Sequence, residues 1–184
     1  MQTAFAFDFD GTITDVPGER SRLFSLGAGL RGINDLSIVY ARIQNVVNEY
    51  FPPNLTARLR NFFEIIHAVG GILTLHTNNY YNVVVACLSC HIGVPLEYFD
   101  LTRSSFRENG DLKFETLEKL SQDPNIGRIY FFEDTWAYIN SAKQLPKVVP
   151  VYCRKGEHSL NRLLEIVPVN DSVSLNEFLR IHTT

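Results

Sequence analysis

Short, nearly continuous apolar runs alternate along the chain with longer amphipathic segments. The apolar runs at residues 4–7, 72–76, 129–132 and 148–152 are typical of strands that are covered on both faces. Segments with helical periodicity lie between and after these runs, at residues 55–69, 81–90, 114–120, 136–143, 160–166 and 175–181. Strands that alternate with helices predict an α/β fold in three layers, with a mostly parallel central sheet.

Two helix ends carry specific signals. Gly70-Gly71 follows the segment at residues 55–69, and glycine after a last turn predicts that the helix ends there. Ser174 is followed three residues later by Glu177, which is the pattern of a capping box. We therefore expect Ser174 to be the N-cap of the last helix.

Residues 16–53 interrupt the alternation of strands and helices. This region predicts one good helix at residues 36–50 and a shorter one at 21–26, among several glycines and a proline pair, namely Gly18, Gly27, Gly29, Gly32 and Pro52-Pro53. We interpret it as a small helical, cap-like insertion after the first strand, within a single domain that spans residues 1–184. The alternative is an ordinary crossover helix with a long glycine-rich approach.

Composition narrows the functional classes. The chain has 184 residues, of which 45% are hydrophobic and 20% charged, and its formal net charge is −3. A chain of this length buries a core large enough to fold without disulfides or a structural metal. The charge balance excludes a strongly basic nucleic-acid-binding protein, and no apolar run approaches the roughly 18 residues of a membrane span. We expect neither nucleic-acid nor membrane binding.

The first apolar stretch, at residues 3–7, has no basic flank and no small-residue cleavage site, so it does not resemble a signal peptide. We therefore expect a cytoplasmic protein. Export by a route that needs no signal peptide is the alternative. The three cysteines, Cys87, Cys90 and Cys153, are an odd number, which argues against a disulfide framework. Although residues 87–91 match a haem-attachment pattern, we expect Cys87 and Cys90 to face the core as small hydrophobes.

The strongest chemical signal is a pair of carboxylates at the end of the first strand. Asp8 and Asp10 are separated by one residue, so the period of a strand places both on the same side. Two like charges this close are unfavourable unless a cation or a proton lies between them. A hard divalent cation such as Mg²⁺ takes oxygen ligands and suits this place. Gly11 permits a sharp turn and a close approach of the backbone to an anion.

This strand end resembles the first motif of the haloacid dehalogenase (HAD) superfamily of phosphohydrolases, and the later motifs of that family follow in its order. The matching segments are Asp8-x-Asp10-Gly11-Thr12, then Thr77 after an apolar strand, then Lys113 at the start of a helix, and then Glu133-Asp134 after another apolar strand. Together they cover about residues 2–152. For the lysine motif, Arg103 or Arg107 could contribute instead of Lys113.

The resemblance implies roles for these residues. Asp8 would be the nucleophile that forms an aspartyl-phosphate, and Asp10 the general acid and then the general base. Mg²⁺ would be held by a carboxylate oxygen of Asp8, the backbone carbonyl of Asp10 and the carboxylate of Asp134. Glu133 would orient metal-bound water or the lysine, or exchange roles with Asp134. The phosphoryl oxygens would be bound by the side chains or backbone of Thr77, Asn78, Lys113 and Gly11.

An aspartate two residues after the nucleophile favours, by the same resemblance, a phosphatase or a phosphomutase. The small insertion implies an open site, so we expect a Mg²⁺-dependent phosphomonoester phosphatase whose partner is a phosphorylated small molecule or a phosphoprotein, including phosphotyrosine. A sugar-phosphate phosphatase or phosphomutase and a nucleotidase are alternatives. A catalytically idle module that binds phosphate or Mg²⁺ is an alternative of another class. Three arginines of the insertion could contact an anionic substrate, namely Arg20, Arg22 and Arg31.

Overall fold

The structure is a computed structural model that describes residues 1–16, 21–51, 53–110, 112–153 and 159–183. The strands are β1 (Gln2–Phe7), β2 (Ile72–Leu75), β3 (Ile126–Glu133) and β4 (Val148–Tyr152). They form one sheet in the order β2-β1-β3-β4, and every pair is parallel. The four apolar runs are thus confirmed as strands, and the predicted α/β fold with a parallel sheet is confirmed.

Helices follow the strands and cover the sheet. They are α1 (Arg22–Leu30), α2 (Leu36–Tyr50), α3 (Pro53–Ala68), α4 (Tyr81–Ala86), α5 (Lys113–Gln122), α6 (Trp136–Ala142), α7 (Leu160–Ile166) and α8 (Ser172–His182). The α-helix expected at residues 81–90 ends earlier, because the chain continues from Ala86 into a π-helical turn over Cys87–Ile92. In the described part of the chain, none of the helices combines the length and apolar character needed to cross a bilayer.

The two faces of the sheet bury different side chains. Strand β1 directs Phe5 and Phe7 into the larger core cluster, and Ala4 and Ala6 into a smaller cluster on the opposite face. The ring of Phe7 lies 4.6 Å from that of Phe132 and 5.3 Å from that of Phe63 between ring centroids. Alternation of large and small residues along one strand therefore produces the three layers.

Within the region predicted as an insertion, α1 and α2 are both formed, and residues 17–20 and 52 lie outside the described residues. Val39 and Ile43 of α2 are buried in the same cluster as Phe7, so these helices share the main core. Arg22 pairs with Glu49 at 2.7 Å on the surface. Arg31 is also exposed, and Arg20 is among the residues not described. The limits of the insertion and its role as a cap stay predictions.

Two local predictions were wrong. The last helix begins before Ser174: its N-cap is Asp171, whose carboxylate accepts hydrogen bonds from the backbone N–H groups of Val173 (2.9 Å) and Ser174 (2.8 Å). Cys87 is buried as expected, but Cys90 is exposed, since the π-helical turn changes the face on which it lies. Asp171 therefore caps the start of this helix, in place of Ser174, which the capping-box pattern had indicated.

Both outer strands of the sheet have neighbours along part of their free edges. Beside β2, Leu73 bridges to Phe99, and the following His76 bridges to Ser105. Beside β4, Val151 bridges to Thr183 at the end of α8. Strand β4 also contains Pro150, which has no backbone N–H to donate.

Candidate active site

The carboxyl ends of β1 and β3 meet at one edge of the sheet and place three carboxylates there. The register pairs Phe7 with Phe132, and the backbone N–H of Asp8 donates to Phe132 O at 2.9 Å. Asp8 therefore leaves β1 beside Glu133, the last residue of β3, and Asp134, which follows it. All three side chains are buried. The ladder of two central strands thus determines where these acids lie.

A tight turn over Phe9–Ile13 returns the chain across the end of β1. Gly11 adopts a φ of +77°, and its N–H donates to Thr14 Oγ1 at 3.1 Å. A Cβ at this position would lie 2.6 Å from Cγ of Asp134, which is closer than packed atoms tolerate. Glycine is therefore required both by the backbone conformation and by the carboxylate beside it.

We expect Gly11→Ala to weaken Mg²⁺ binding at least about tenfold, because the new methyl group displaces Asp134. Gly32→Ala is the matched control: Gly32 also has a positive φ, +83°, but open space around its Cβ position. Both variants should lose about 1 kcal/mol of stability from the backbone strain. Titration calorimetry with Mg²⁺ and urea unfolding measure the two effects. Equal Mg²⁺ affinity in the two variants would contradict this account.

Lys113, at the start of α5, reaches the acid cluster. Helix α5 packs on the sheet face opposite the one that buries Phe5 and Phe7. Lys113 is 3% exposed, and its Nζ lies 2.9 Å from Asp8 Oδ1 and also pairs with Glu133. The Tyr138 ring covers it, with Nζ 4.6 Å from the ring centroid. Burial alone lowers the pKa of this ammonium, but the two carboxylates together outweigh that effect and raise the pKa.

The structure therefore brings Lys113, rather than either arginine alternative, to the acids. Arg103 pairs instead with Asp100 (3.4 Å) and Asp123 (3.0 Å). The guanidinium of Arg107 lies over the Phe24 ring, 5.8 Å from its centroid.

Burial makes the carboxylates hard to ionise. The pKa of Asp8 is raised to about 7 by burial first and then by the charge of Glu133, with Lys113 offsetting part of the rise. Burial likewise raises the pKa of Asp10 to about 6. The pKa values of Glu133 and Asp134 are also raised, first by burial. A cluster with this much unfavourable negative charge is suited to a cation.

The donor set fits a hard divalent metal. Asp8, Glu133 and Asp134 each offer a carboxylate oxygen, and these oxygens lie within 4.8 Å of one another. Buried carboxylates of this kind are the ligands that Mg²⁺ takes. The cluster contains Glu133, for which the sequence indicated an orienting role, beside the expected Asp8 and Asp134. The carboxylate of Asp10 is outside this set and accepts a hydrogen bond from the Asn79 amide at 2.9 Å. That its backbone carbonyl is a metal ligand stays what the family resemblance implies.

The raised pKa values predict how metal-free stability depends on pH. The folded chain binds protons at Asp8 (pKa about 7) and Asp10 (pKa about 6) that the unfolded chain, at 3.8, has already released. The buried His76, whose pKa burial lowers from 6.5 to about 3, acts in the opposite direction but offsets only one of the two carboxyls. The free energy of unfolding should therefore fall as pH rises from about 4 to about 7, and added Mg²⁺ should reduce that fall. Urea unfolding in EDTA and in Mg²⁺ across this range measures it. A rise in metal-free stability over the same range would contradict the prediction.

The end of β2 contributes three polar residues. The backbone N–H of Thr77 donates to Ser105 O at 3.1 Å, and its buried Oγ1 accepts from Asn79 N at 3.1 Å. Asn78 Nδ2 donates to Tyr138 OH at 3.4 Å, so Asn78 reaches the aromatic ring over Lys113. Thr77 and Asn78 thus lie at the expected strand end, and their binding of phosphate stays a proposal.

Asn79 is a site residue that the motif comparison did not single out. Its Nδ2 donates to Asp10 Oδ2 at 2.9 Å, so it joins the end of β2 to the turn after β1. Asp10 is also next to the buried Ser21 of the region before α1, although Asp10 Oδ1 and the Ser21 hydroxyl make no hydrogen bond of normal geometry in the described part of the chain. The polar run Thr77-Asn78-Asn79 directly after an apolar strand was the available signal.

The parallel four-stranded sheet flanked by helices has counterparts among solved structures. Comparison with solved structures confirms the HAD-like fold that the motifs predicted. No family model matches the sequence, and no curated protein matches it.

The particular structures are those of two bacterial effectors. The chain is similar to the HAD domain of effector protein Lem4 from Legionella pneumophila, with 14% identity and a TM-score of 0.65, over 95% of this chain and 97% of that one. It is also similar to Legionella pneumophila effector Ceg4, with 17% identity and a TM-score of 0.60, over 90% of this chain and 92% of that one. At these identities the likeness shows the fold alone.

Proposed function

We propose that this chain is a Mg²⁺-dependent phosphomonoester phosphatase that acts through an aspartyl-phosphate on Asp8. The observation that carries the proposal is the contact of the buried Lys113 with Asp8 and Glu133 at the same strand ends as Asp10 and Asp134. Burying a lysine against two of the four acids costs free energy, because these charges lose their hydration. Buried charge clusters of this kind are concentrated at functional sites.

The chain's own residues supply the steps of hydrolysis. An oxygen of Asp8 forms a bond to phosphorus as the bond from phosphorus to the leaving oxygen breaks, and Asp10 gives that oxygen its proton. Asp10 then takes a proton from water, which attacks phosphorus and releases inorganic phosphate with Asp8 restored. Lys113 pairs with Asp8 Oδ1 at 2.9 Å and with Glu133, and because an ammonium has three donors, one remains for a phosphoryl oxygen.

Charge explains why a metal is needed. Among the residues that the structure describes, Asp8, Asp10, Glu133 and Asp134 have one ammonium beside them, that of Lys113, so a phosphate dianion would enter a site that is already negative. Within this proposal, Asp8, the Asp10 carbonyl and Asp134 would hold Mg²⁺, and Glu133, which lies in the same cluster and pairs with Lys113, would orient metal-bound water or the lysine. Mg²⁺ would neutralise the phosphoryl oxygens and allow the carboxylate to approach them.

Aromatic side chains beside the acids support phosphotyrosine as the substrate class within this proposal. Tyr138 lies over Lys113, and Trp136, two residues after Asp134, is 50% exposed. The Trp136 ring contacts Tyr152 edge-on with centroids 4.9 Å apart, which leaves part of it facing solvent. A phenyl phosphate can pack its ring against such a rim while its phosphate reaches the lysine.

The test is hydrolysis of p-nitrophenyl phosphate with Mg²⁺ and with EDTA, followed by a panel of phosphotyrosine and phosphoserine peptides, sugar phosphates and nucleotides. We expect Mg²⁺-dependent turnover and the highest kcat/KM with phosphotyrosine peptides. Phosphate binding without turnover would instead favour the idle binding module. Activation by a sugar bisphosphate would favour a phosphomutase.

A further inference from the structure

We infer that Asn79 is the positioning residue that fixes the Asp10 carboxylate and determines which of its oxygens exchanges the proton; this inference rests on the proposed function. Asn79 is fully buried, and its Nδ2 lies 2.9 Å from Asp10 Oδ2. This hydrogen bond joins the turn after β1 to the end of β2.

The orientation of the Asn79 amide is determined by its second hydrogen bond. The amide oxygen of Asn79 accepts from the backbone N–H of Tyr80 at 2.7 Å. An N–H can be paired only with an acceptor, so the oxygen must face Tyr80 and the NH₂ group must face Asp10. A flipped amide would place two donors together at Tyr80 and two acceptors together at Asp10.

The backbone of Asn79 is held on both sides. Its N–H donates to Thr77 Oγ1 at 3.1 Å, and its carbonyl accepts from Arg107 N at 2.9 Å. With both amide groups and both backbone groups engaged, the side chain has one arrangement in which it reaches Asp10. Such support from a buried neighbour holds a reacting group in its productive position.

This geometry assigns the two oxygens of Asp10 different roles. Oδ2 accepts the Asn79 N–H, whereas Oδ1 has no hydrogen-bond partner among the described residues, so Oδ1 is the oxygen left to exchange a proton. Oδ1 would then give its proton to the leaving oxygen as the bond to phosphorus breaks, and later take one from the attacking water. Asn79 acts through Asp10 and does not itself touch the reacting atoms.

The experiment compares kcat/KM for substrates with good and poor leaving groups. p-Nitrophenolate leaves with little help from an acid, whereas an alkoxide needs a proton. We expect Asn79→Ala to lower kcat/KM about 100-fold with an alkyl phosphate and less than about tenfold with p-nitrophenyl phosphate. Asn79→Ser, which keeps a short donor, should recover part of the loss. Equal losses with both substrates would overturn the inference.

A double-mutant cycle separates positioning from general damage. If Asn79 acts through Asp10, then Asn79→Ala should have little further effect in an Asp10→Asn background, whereas independent effects would multiply and would refute the inference. Asn82→Ala is the matched control, since the buried Asn82 amide donates to Leu30 O and not to the site. It should lower the thermal midpoint without changing the dependence on leaving group.

A measurement without substrate distinguishes failure of this inference from failure of the proposed function. In NMR spectra, the Asn79 side-chain amide should be protected from exchange in the native chain, and its resonances should move in Asp10→Asn. If the native chain shows no turnover, the phosphatase proposal fails, and the amide spectrum still decides whether Asn79 holds Asp10. An unprotected amide that does not respond to Asp10→Asn would overturn the inference even in an active enzyme.

Discussion

Asp8→Asn is expected to reduce Mg²⁺-dependent turnover of p-nitrophenyl phosphate by at least about 10³-fold, because a neutral amide does not attack phosphorus. The substitution keeps the shape of the side chain and an oxygen that can accept from Lys113. Steady-state kinetics measures the loss, and circular dichroism checks that the fold is retained.

Asp10→Asn is the informative comparison for the nucleophile. This variant keeps Asp8, so it should still accept a phosphoryl group from p-nitrophenyl phosphate but release it slowly, and intact-protein mass spectrometry should detect the added phosphate. Asp8→Asn should show no such adduct. An Asp8→Asn protein with native turnover would remove Asp8 as the nucleophile and with it the proposed mechanism.

Lys113→Met is expected to lower the free energy of unfolding at pH 8 by about 3–5 kcal/mol in the absence of metal. The methionine fills a similar volume but leaves Asp8 and Glu133 buried together without their shared cation. The loss should shrink at pH 5, because the pKa of Asp8 is raised by burial to about 7 and the protonated acid no longer repels Glu133. Urea unfolding at the two pH values, with EDTA, measures both effects.

Lys119→Met is the matched control for this substitution. Lys119 lies on the same helix, α5, but is exposed, so its loss should change stability by less than about 0.5 kcal/mol at either pH. Similar stabilities of the two variants at pH 8 would show that Lys113 does not compensate buried charge. Turnover should be lost in Lys113→Met and retained in Lys119→Met.

The main elements of the fold could be predicted from sequence because burial on both faces leaves a clear pattern. Strands β1 and β3 contain the unbroken apolar runs 4–7 and 129–132, and an acidic residue follows each run directly. Since the carboxyl ends of parallel strands share one edge, the order of motifs along the chain was enough to expect Asp8 near Asp134. Lys113, which starts a helix in a polar context, could be placed only by its order among the motifs.

What could not be predicted depends on contacts between segments distant in sequence. Nothing local distinguishes Asn79 from Asn78, yet only the structure shows that the amide of Asn79 reaches Asp10 while that of Asn78 reaches Tyr138. The N-cap at Asp171 was missed because the capping-box pattern of Ser174 and Glu177 was followed, although aspartate is itself a favoured N-cap residue. The exposure of Cys90 follows from a π-helical turn, which shifts the helical period that the prediction assumed.

The coverage of the outer strands bears on how this protein behaves at high concentration. An uncovered strand edge presents free N–H and C=O groups on which another copy can add a strand and begin to aggregate. Here Leu73 and His76 are bridged by the segment at residues 99–105, Val151 is bridged by Thr183, and Pro150 interrupts the donors of β4. We therefore expect the native chain to remain free of intermolecular strand pairing in concentrated solution, which an infrared amide I spectrum would report.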